Sequence, residues 1–117
     1  MSNGPWLRVA FFTTEAGGEP VREWIKSLSR EEQYIIGSDL LAVQYAWPIG
    51  MPLVRKLQED LWEMRSTLGN RIARILFTGS GSALVPLHGF SKKSQRTPKE
   101  DRDLARRRLR ELKRRTG

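Results

Sequence analysis

Leu61-Trp62-Glu63-Met64-Arg65-Ser66-Thr67-Leu68-Gly69-Asn70-Arg71-Ile72-Ala73-Arg74-Ile75-Leu76-Phe77-Thr78 decides the fold. Leu61 to Ser66 and Arg71 to Thr78 are short apolar or alternating runs, the pattern of strands. Gly69-Asn70 between them is a hairpin turn signal. A third run, Ser82 to Phe90, follows Gly79-Ser80-Gly81, a second such signal. The glycine run is no phosphate-binding loop, because it lacks the lysine and the following helix. Pro86 cannot donate to a ladder, so it marks a bulge or a stretch of unpaired N–H positions.

Upstream of these strands the period is helical. Trp6 to Phe12 reads as a first strand, broken by Gly17-Gly18. Pro20 suits the first turn of a helix, and Val21, Trp24, Ile25 and Leu28 follow at i, i+3, i+4 and i+7. Ser29 and Glu32 form a capping box that opens a second helix, with Ile36, Leu40, Val43 and Trp47 as its stripe. Pro48 and Gly50 end it. These consecutive helices predict a hairpin. Downstream, Thr97 and Glu100 read as another capping box with Pro98 at the first helical position. The helix that follows carries Ala105, Leu109 and Leu112 on a narrow apolar stripe. The predicted order is β-α-α-β-β-β-α: one α+β domain over residues 1–117, with a small antiparallel sheet.

The 117 residues carry 21 basic and 13 acidic side chains, a net charge of +8. Residues 1–50 hold 4 basic and 6 acidic groups, whereas residues 51–117 hold 17 and 7. Such polarity points to an anionic partner, and nucleic acid is the commonest. The chain has no cysteine and one histidine, which excludes disulfides and thiolate metal sites and argues against structural zinc. Met1–Trp6 lacks the basic and apolar regions of a leader, and no segment approaches the roughly 18 apolar residues of a membrane span. A cytoplasmic location, with no membrane partner, is expected.

The densest chemistry lies in Leu87-His88-Gly89-Phe90-Ser91-Lys92-Lys93-Ser94-Gln95-Arg96-Thr97-Pro98, at the edge of the predicted sheet. With Leu61–Arg65 and Arg71–Phe77, this segment resembles the RelE/HigB superfamily of bacterial and phage toxins, and within it the HigB-like, phage-derived branch. The first stretch matches that branch's Leu-x-Glu-x-Arg strand. The second matches its Arg-hydrophobic-hydrophobic-aromatic strand. The last matches its Leu-His-x-Phe-x-Lys-Lys-x-Gln-x-Thr-Pro segment. The likeness spans residues 6 to 112. It implies a RelE-like, microbial-ribonuclease-like fold and the toxin of a type II toxin–antitoxin system. Such a toxin acts on the ribosome as an endoribonuclease cleaving messenger RNA without a metal. Its partners would be the ribosome, the message and a cognate antitoxin, a HigA-like helix-turn-helix protein through which the pair reaches operator DNA. No cofactor is implied.

RNA needs no metal to be cut, because its 2′-OH can attack the adjacent phosphate. A base must take the 2′ proton, cations must hold the growing phosphate charge, and an acid must protonate the 5′ oxygen. Histidine suits the proton transfers, and a lysine crowded by other cations also becomes a usable base. The candidate catalytic residues are Arg74, His88, Lys92, Lys93 and Arg65. Arg71 and Arg74 sit an odd number apart in one strand and face opposite sides, so only one shares the catalytic face. Arg74 is chosen as the phosphate clamp, with a cross-strand pairing to Glu63 as the structural alternative. Lys92 is the preferred proton-transfer group. Arg71, Arg96, Lys99, Arg106, Arg107 and Arg110 are assigned to RNA or ribosome contacts. Members of the superfamily often place an aromatic or a second acid–base group in the final segment. This chain has Gln95 and Arg96 there, and Trp62 reads as core more readily than as a base-stacking platform. The alternative functions are a non-catalytic nucleic-acid-binding protein, an inactive prophage relic held by an antitoxin, and a DNA-binding module built on residues 98–115.

Overall fold

Burial of two apolar sheet faces, each under its own helices, organises the computed structural model, which describes residues 7–116. Met1–Trp6, which holds the start of the expected first strand and the stretch read for a leader, and Gly117 lie outside the described residues. The elements are β1 (Arg8–Val9), α1 (Pro20–Lys26), α2 (Arg30–Ala46), β2 (Val54–Gln58), β3 (Leu61–Leu68), β4 (Arg71–Ser80), β5 (Ala83–Lys92) and α3 (Lys99–Thr116). The sheet runs β1-β5-β4-β3-β2. The α+β class stands, with three helices and three of the strands where the periodicities predict them.

Three local readings change. The Arg55-Lys56-Leu57-Gln58 stretch is too polar to signal a strand, yet β2 forms, because it pairs the otherwise open edge of β3. The sheet is mixed rather than antiparallel: β1 runs parallel to β5, with Arg8 opposite Ala83 and Val9 opposite Leu84. Parallel pairing follows from α1, α2 and the meander intervening between the two strands. Finally, the Thr97 hydroxyl donates to the buried Glu63 carboxylate instead of capping α3, which starts at Lys99 with Pro98 just before it. A buried carboxylate without donors costs more than a helix N-terminus open to water, so Glu63 takes the hydroxyl.

The turns obey glycine chemistry. Gly69-Asn70 links Leu68 to Arg71, and Gly69 has φ +66°, the positive first position that a tight hairpin needs. The Ser29–Glu32 capping box is complete, with both bonds at 3.2 Å. Side chains of one parity pack against α1 and α2: Met64 and Leu68 from β3, and Ala73, Ile75 and Phe77 from β4. The other parity packs against α3: Leu61, Leu76, Val85 and Phe90, beneath Ala105 and Leu109. Trp62 belongs to the first layer, 5.2 Å from Trp47 and 6.2 Å from Phe77 by ring centroids.

The register slips between Leu76 opposite His88 and Phe77 opposite Pro86, leaving Leu87 as an extra residue. Pro86, without an N–H, sits at the slip, as a proline in this strand requires. The bulge turns two consecutive side chains, Leu87 and His88, toward α3, and Arg108 Nη1 donates to the Leu87 carbonyl at 2.7 Å. Alternation then resumes. Gly89 faces α1, where a Cβ would stand 2.5 Å from Trp24, so Trp24 would have to move for any side chain there.

Candidate functional site

The sheet's α3 face gathers charge at one end. Arg65 on β3 lies directly opposite Arg74 on β4, and Arg74 lies opposite Phe90 on β5. His88 and Lys92 are two residues either side of Phe90, so strand alternation puts Arg65, Arg74, His88 and Lys92 on a common face. Two guanidinium-bearing residues directly opposite each other repel. Glu63 answers that repulsion. It is fully buried and meets Arg55 at 3.2 Å, Arg65 at 3.3 Å and Arg74 at 3.6 Å. The cluster is one carboxylate among three guanidiniums.

Arg74 is fully buried, over the Phe90 ring at 5.9 Å, and donates from Nη2 to the Ser94 carbonyl. Its Nε and Nη1 have no hydrogen-bond partner. Burial pushes its pKa down, Glu63 opposes that, and Arg65 and Arg55 add to it; an arginine nonetheless stays charged. Arg65 is 16% exposed and donates to the Gln95 carbonyl. Arg65 and Gln95 border an open cleft of about 580 Å³ between α2 and the sheet. The chain after β5 thus crosses the two arginines and presents main-chain oxygens to them.

His88 takes a different partner from any the sequence suggests. Its Nε2 is 2.7 Å from Asp101 Oδ1 on α3, and its ring stacks on Phe90 at 5.3 Å. Burial pushes its pKa below 6.5, the Asp101 hydrogen bond and charge oppose that, and Arg108 adds to the depression. A neutral ring here donates from Nε2, leaving Nδ1 as the acceptor. Because the folded form resists protonation, its contribution to stability is complete above about pH 6.5 and is lost as pH falls through the lower folded value. His88→Gln is therefore expected to flatten the loss of unfolding free energy just below pH 6.5. Urea titrations of both proteins at a series of pH values check this, and parallel curves would refute it.

The other candidates scatter around this face. Lys92 and Lys93 are exposed at the end of β5, and Arg96 and Lys99 are exposed beyond them. Arg71 is on the opposite sheet face, as its parity requires, 2.5 Å from Glu32 on α2 and 3.2 Å from the Ser91 hydroxyl. The Glu32 carboxyl is held below its ordinary range first by the Ser29 N–H and further by Arg71. Arg106 pairs with Asp103 at 3.0 Å and also bonds Gln58. Arg107 and Arg110 are exposed on α3, further along the helix that Lys99 begins. Arg55 and Asp101 escape a reading of the sequence. Arg55 lies in the strand that periodicity misses, and Asp101 looks like an ordinary first-turn acid. Among the described residues no three of His, Asp and Glu are gathered to hold a metal ion, and no helix is long and apolar enough to cross a membrane.

The arrangement can hold a polyanion against fixed cations and offers a neutral imidazole and two exposed lysines beside them. A search of curated proteins finds no match to the chain. A family model described as phage-derived protein Gp49-like matches residues 23–110, which takes in α2, β2 to β5 and most of α3. The chain therefore belongs to the Gp49-like, phage-derived family, a family of RelE/HigB-like toxins.

Proposed function

We propose that this protein is the toxin of a type II toxin–antitoxin system, a HigB-like, ribosome-dependent endoribonuclease that cuts messenger RNA by metal-independent acid–base chemistry. The observation that carries the proposal is the register that puts Arg65, Arg74, His88 and Lys92 on one sheet face beside an exposed basic segment. In the reaction the 2′ oxygen bonds to phosphorus as its proton passes to a base. The bond from phosphorus to the 5′ oxygen then breaks as that oxygen receives a proton. Products are a 2′,3′-cyclic phosphate and a 5′ hydroxyl. Lys92, Lys93 and His88 carry the two proton transfers. Arg65 and Arg74 hold the phosphate once the Ser94 and Gln95 carbonyls give way. Arg71, Arg96, Lys99, Arg106, Arg107 and Arg110 contact RNA or ribosome. The domain spans residues 1–117 and works in the cytoplasm, and a HigA-like helix-turn-helix antitoxin neutralises it and carries the pair to operator DNA.

One observation favours a second function. Arg74 is fully buried beneath a protein carbonyl, as in a relic that binds nucleic acid or antitoxin without turnover. Adding the purified protein to a reconstituted translation reaction, and mapping the 5′ ends of the message, separates the two. Toxin activity gives new ends within the translated frame only when ribosomes are present. Intact messages with undiminished protein synthesis would sink the nuclease.

A further inference from the structure

Between β2 and the start of α3 lies an open pocket of about 630 Å³, lined by Arg55, Arg96, Thr97, Pro98, Lys99 and Arg102. Four of those six side chains are cationic, and none is a carboxylate. The fold neutralises them only in part. Arg55 Nη2 meets Glu63 at 3.2 Å, and Lys99 Nζ lies 3.8 Å from Asp103. Arg96 and Arg102 have no acidic partner within 4 Å among the described residues. The Nε atoms of Arg55 and Arg102 are buried with no hydrogen-bond partner. The two acids flanking Arg102 in sequence are engaged elsewhere, Asp101 with His88 and Asp103 with Arg106 and Lys99, and Glu100 is exposed and does not line the pocket. Arg102 N bonds Pro98 O, so the N–H groups of the preceding turn have no helical acceptor, and the positive end of the α3 dipole is added to the side-chain charge.

We infer that this pocket is a phosphate-binding subsite that takes a backbone phosphate of single-stranded RNA, whichever base that phosphate carries. Cations held together without counter-charge repel one another, and a phosphate accepting from the Arg96 and Arg102 forks relieves the repulsion. No aromatic side chain lines the pocket, so nothing there stacks a base. Thr97 ties the site to the sheet, because its hydroxyl donates to Glu63 and accepts from Arg55 at 3.1 Å. The inference rests on the RNA-directed function above only for the strand that delivers the phosphate, since binding here needs no cleavage.

The test is a titration of the isotopically labelled full chain, followed by NMR, with inorganic pyrophosphate, a six-residue oligouridylate and a six-residue polyglutamate. Pyrophosphate and oligouridylate are expected to give saturable shifts of the residue 96–102 amides and of the Arg102 Nε–H. Arg96→Gln with Arg102→Gln is expected to weaken both by about tenfold or more. The double variant is also expected to lower the salt slope for oligouridylate by roughly 1.4, about 0.7 for each guanidinium removed. Arg96→Gln with Lys99→Gln, both at exposed positions, tests the pocket without touching Arg102 should that change unfold the chain. Shifts confined to Lys92, Lys93 or the end of α3 would overturn the site. Tighter binding of polyglutamate in the pocket would overturn the phosphate class, and pyrophosphate shifts without oligouridylate shifts would overturn the RNA source. A protein that binds here but leaves messages intact sinks the nuclease and not the subsite. One that cuts messages with this pocket silent does the reverse.

Discussion

Glu63→Ala is expected to lower the unfolding free energy by about 3–5 kcal/mol, the range found when one partner of a buried ion pair is removed. Glu63 is fully buried and is the shared counter-charge of Arg55, Arg65 and Arg74. Its loss leaves three guanidiniums to repel one another, one of them, Arg74, with no exposed surface. It also strands the Thr97 hydroxyl at the entry to α3. For a domain of this size the melting temperature should fall by roughly 10–20 °C. Arg55→Met should cost much less, about 1 kcal/mol, because Arg55 is 39% exposed and Glu63 keeps two other arginines. Urea unfolding of the two variants beside the parent measures both. A Glu63→Ala protein within about 1 kcal/mol of the parent would mean that the cluster is held by packing and the loop carbonyls rather than by its carboxylate.

Lys92→Ala with Lys93→Ala is expected to reduce message cleavage by roughly 10²- to 10⁴-fold, the usual worth of a positioned acid or base. Both lysines are exposed and lie at the end of β5, away from the two core layers, so stability should change by no more than about 0.5 kcal/mol. That separation of activity from stability makes the pair a cleaner probe than Arg74, whose removal disturbs the buried cluster as well as any phosphate contact. Primer extension on a translated message, with ribosomes in excess, gives the rate. A double variant that cuts at the parental rate would move the proton transfers to His88 and its Asp101 partner.

Much of this architecture was legible because its determinants are local. The capping box at Ser29, the glycine in the turn after Leu68, the proline at the β5 bulge and the alternation through β3 and β4 depend on residues within a few positions of one another. Strand parity separated Arg71 from Arg74, and the fold puts them on opposite sheet faces, one with Glu32 and one with Glu63. The candidate site was legible in composition and only partly in geometry. Arg65, Arg74, His88 and Lys92 share a face as alternation plus the bulge dictate. Arg65 and Arg74 share Glu63, and their other partners, like that of His88, come from Gln95, Ser94 and Asp101, across segments whose approach no spacing encodes.

The amino-acid order alone determined the three helices, the hairpins that join β3 to β4 and β4 to β5, and the opposite faces of Arg71 and Arg74, because dihedral preference and periodicity act over a turn or two of chain. Tertiary structure alone decided that β1 pairs parallel to β5, that Val54–Gln58 becomes an edge strand, and that Thr97 serves Glu63 instead of a helix end. Those outcomes follow from desolvation. Once the two apolar layers exclude water, every buried charge and every strand edge must find a donor or acceptor wherever the fold has brought one, however distant it is in sequence.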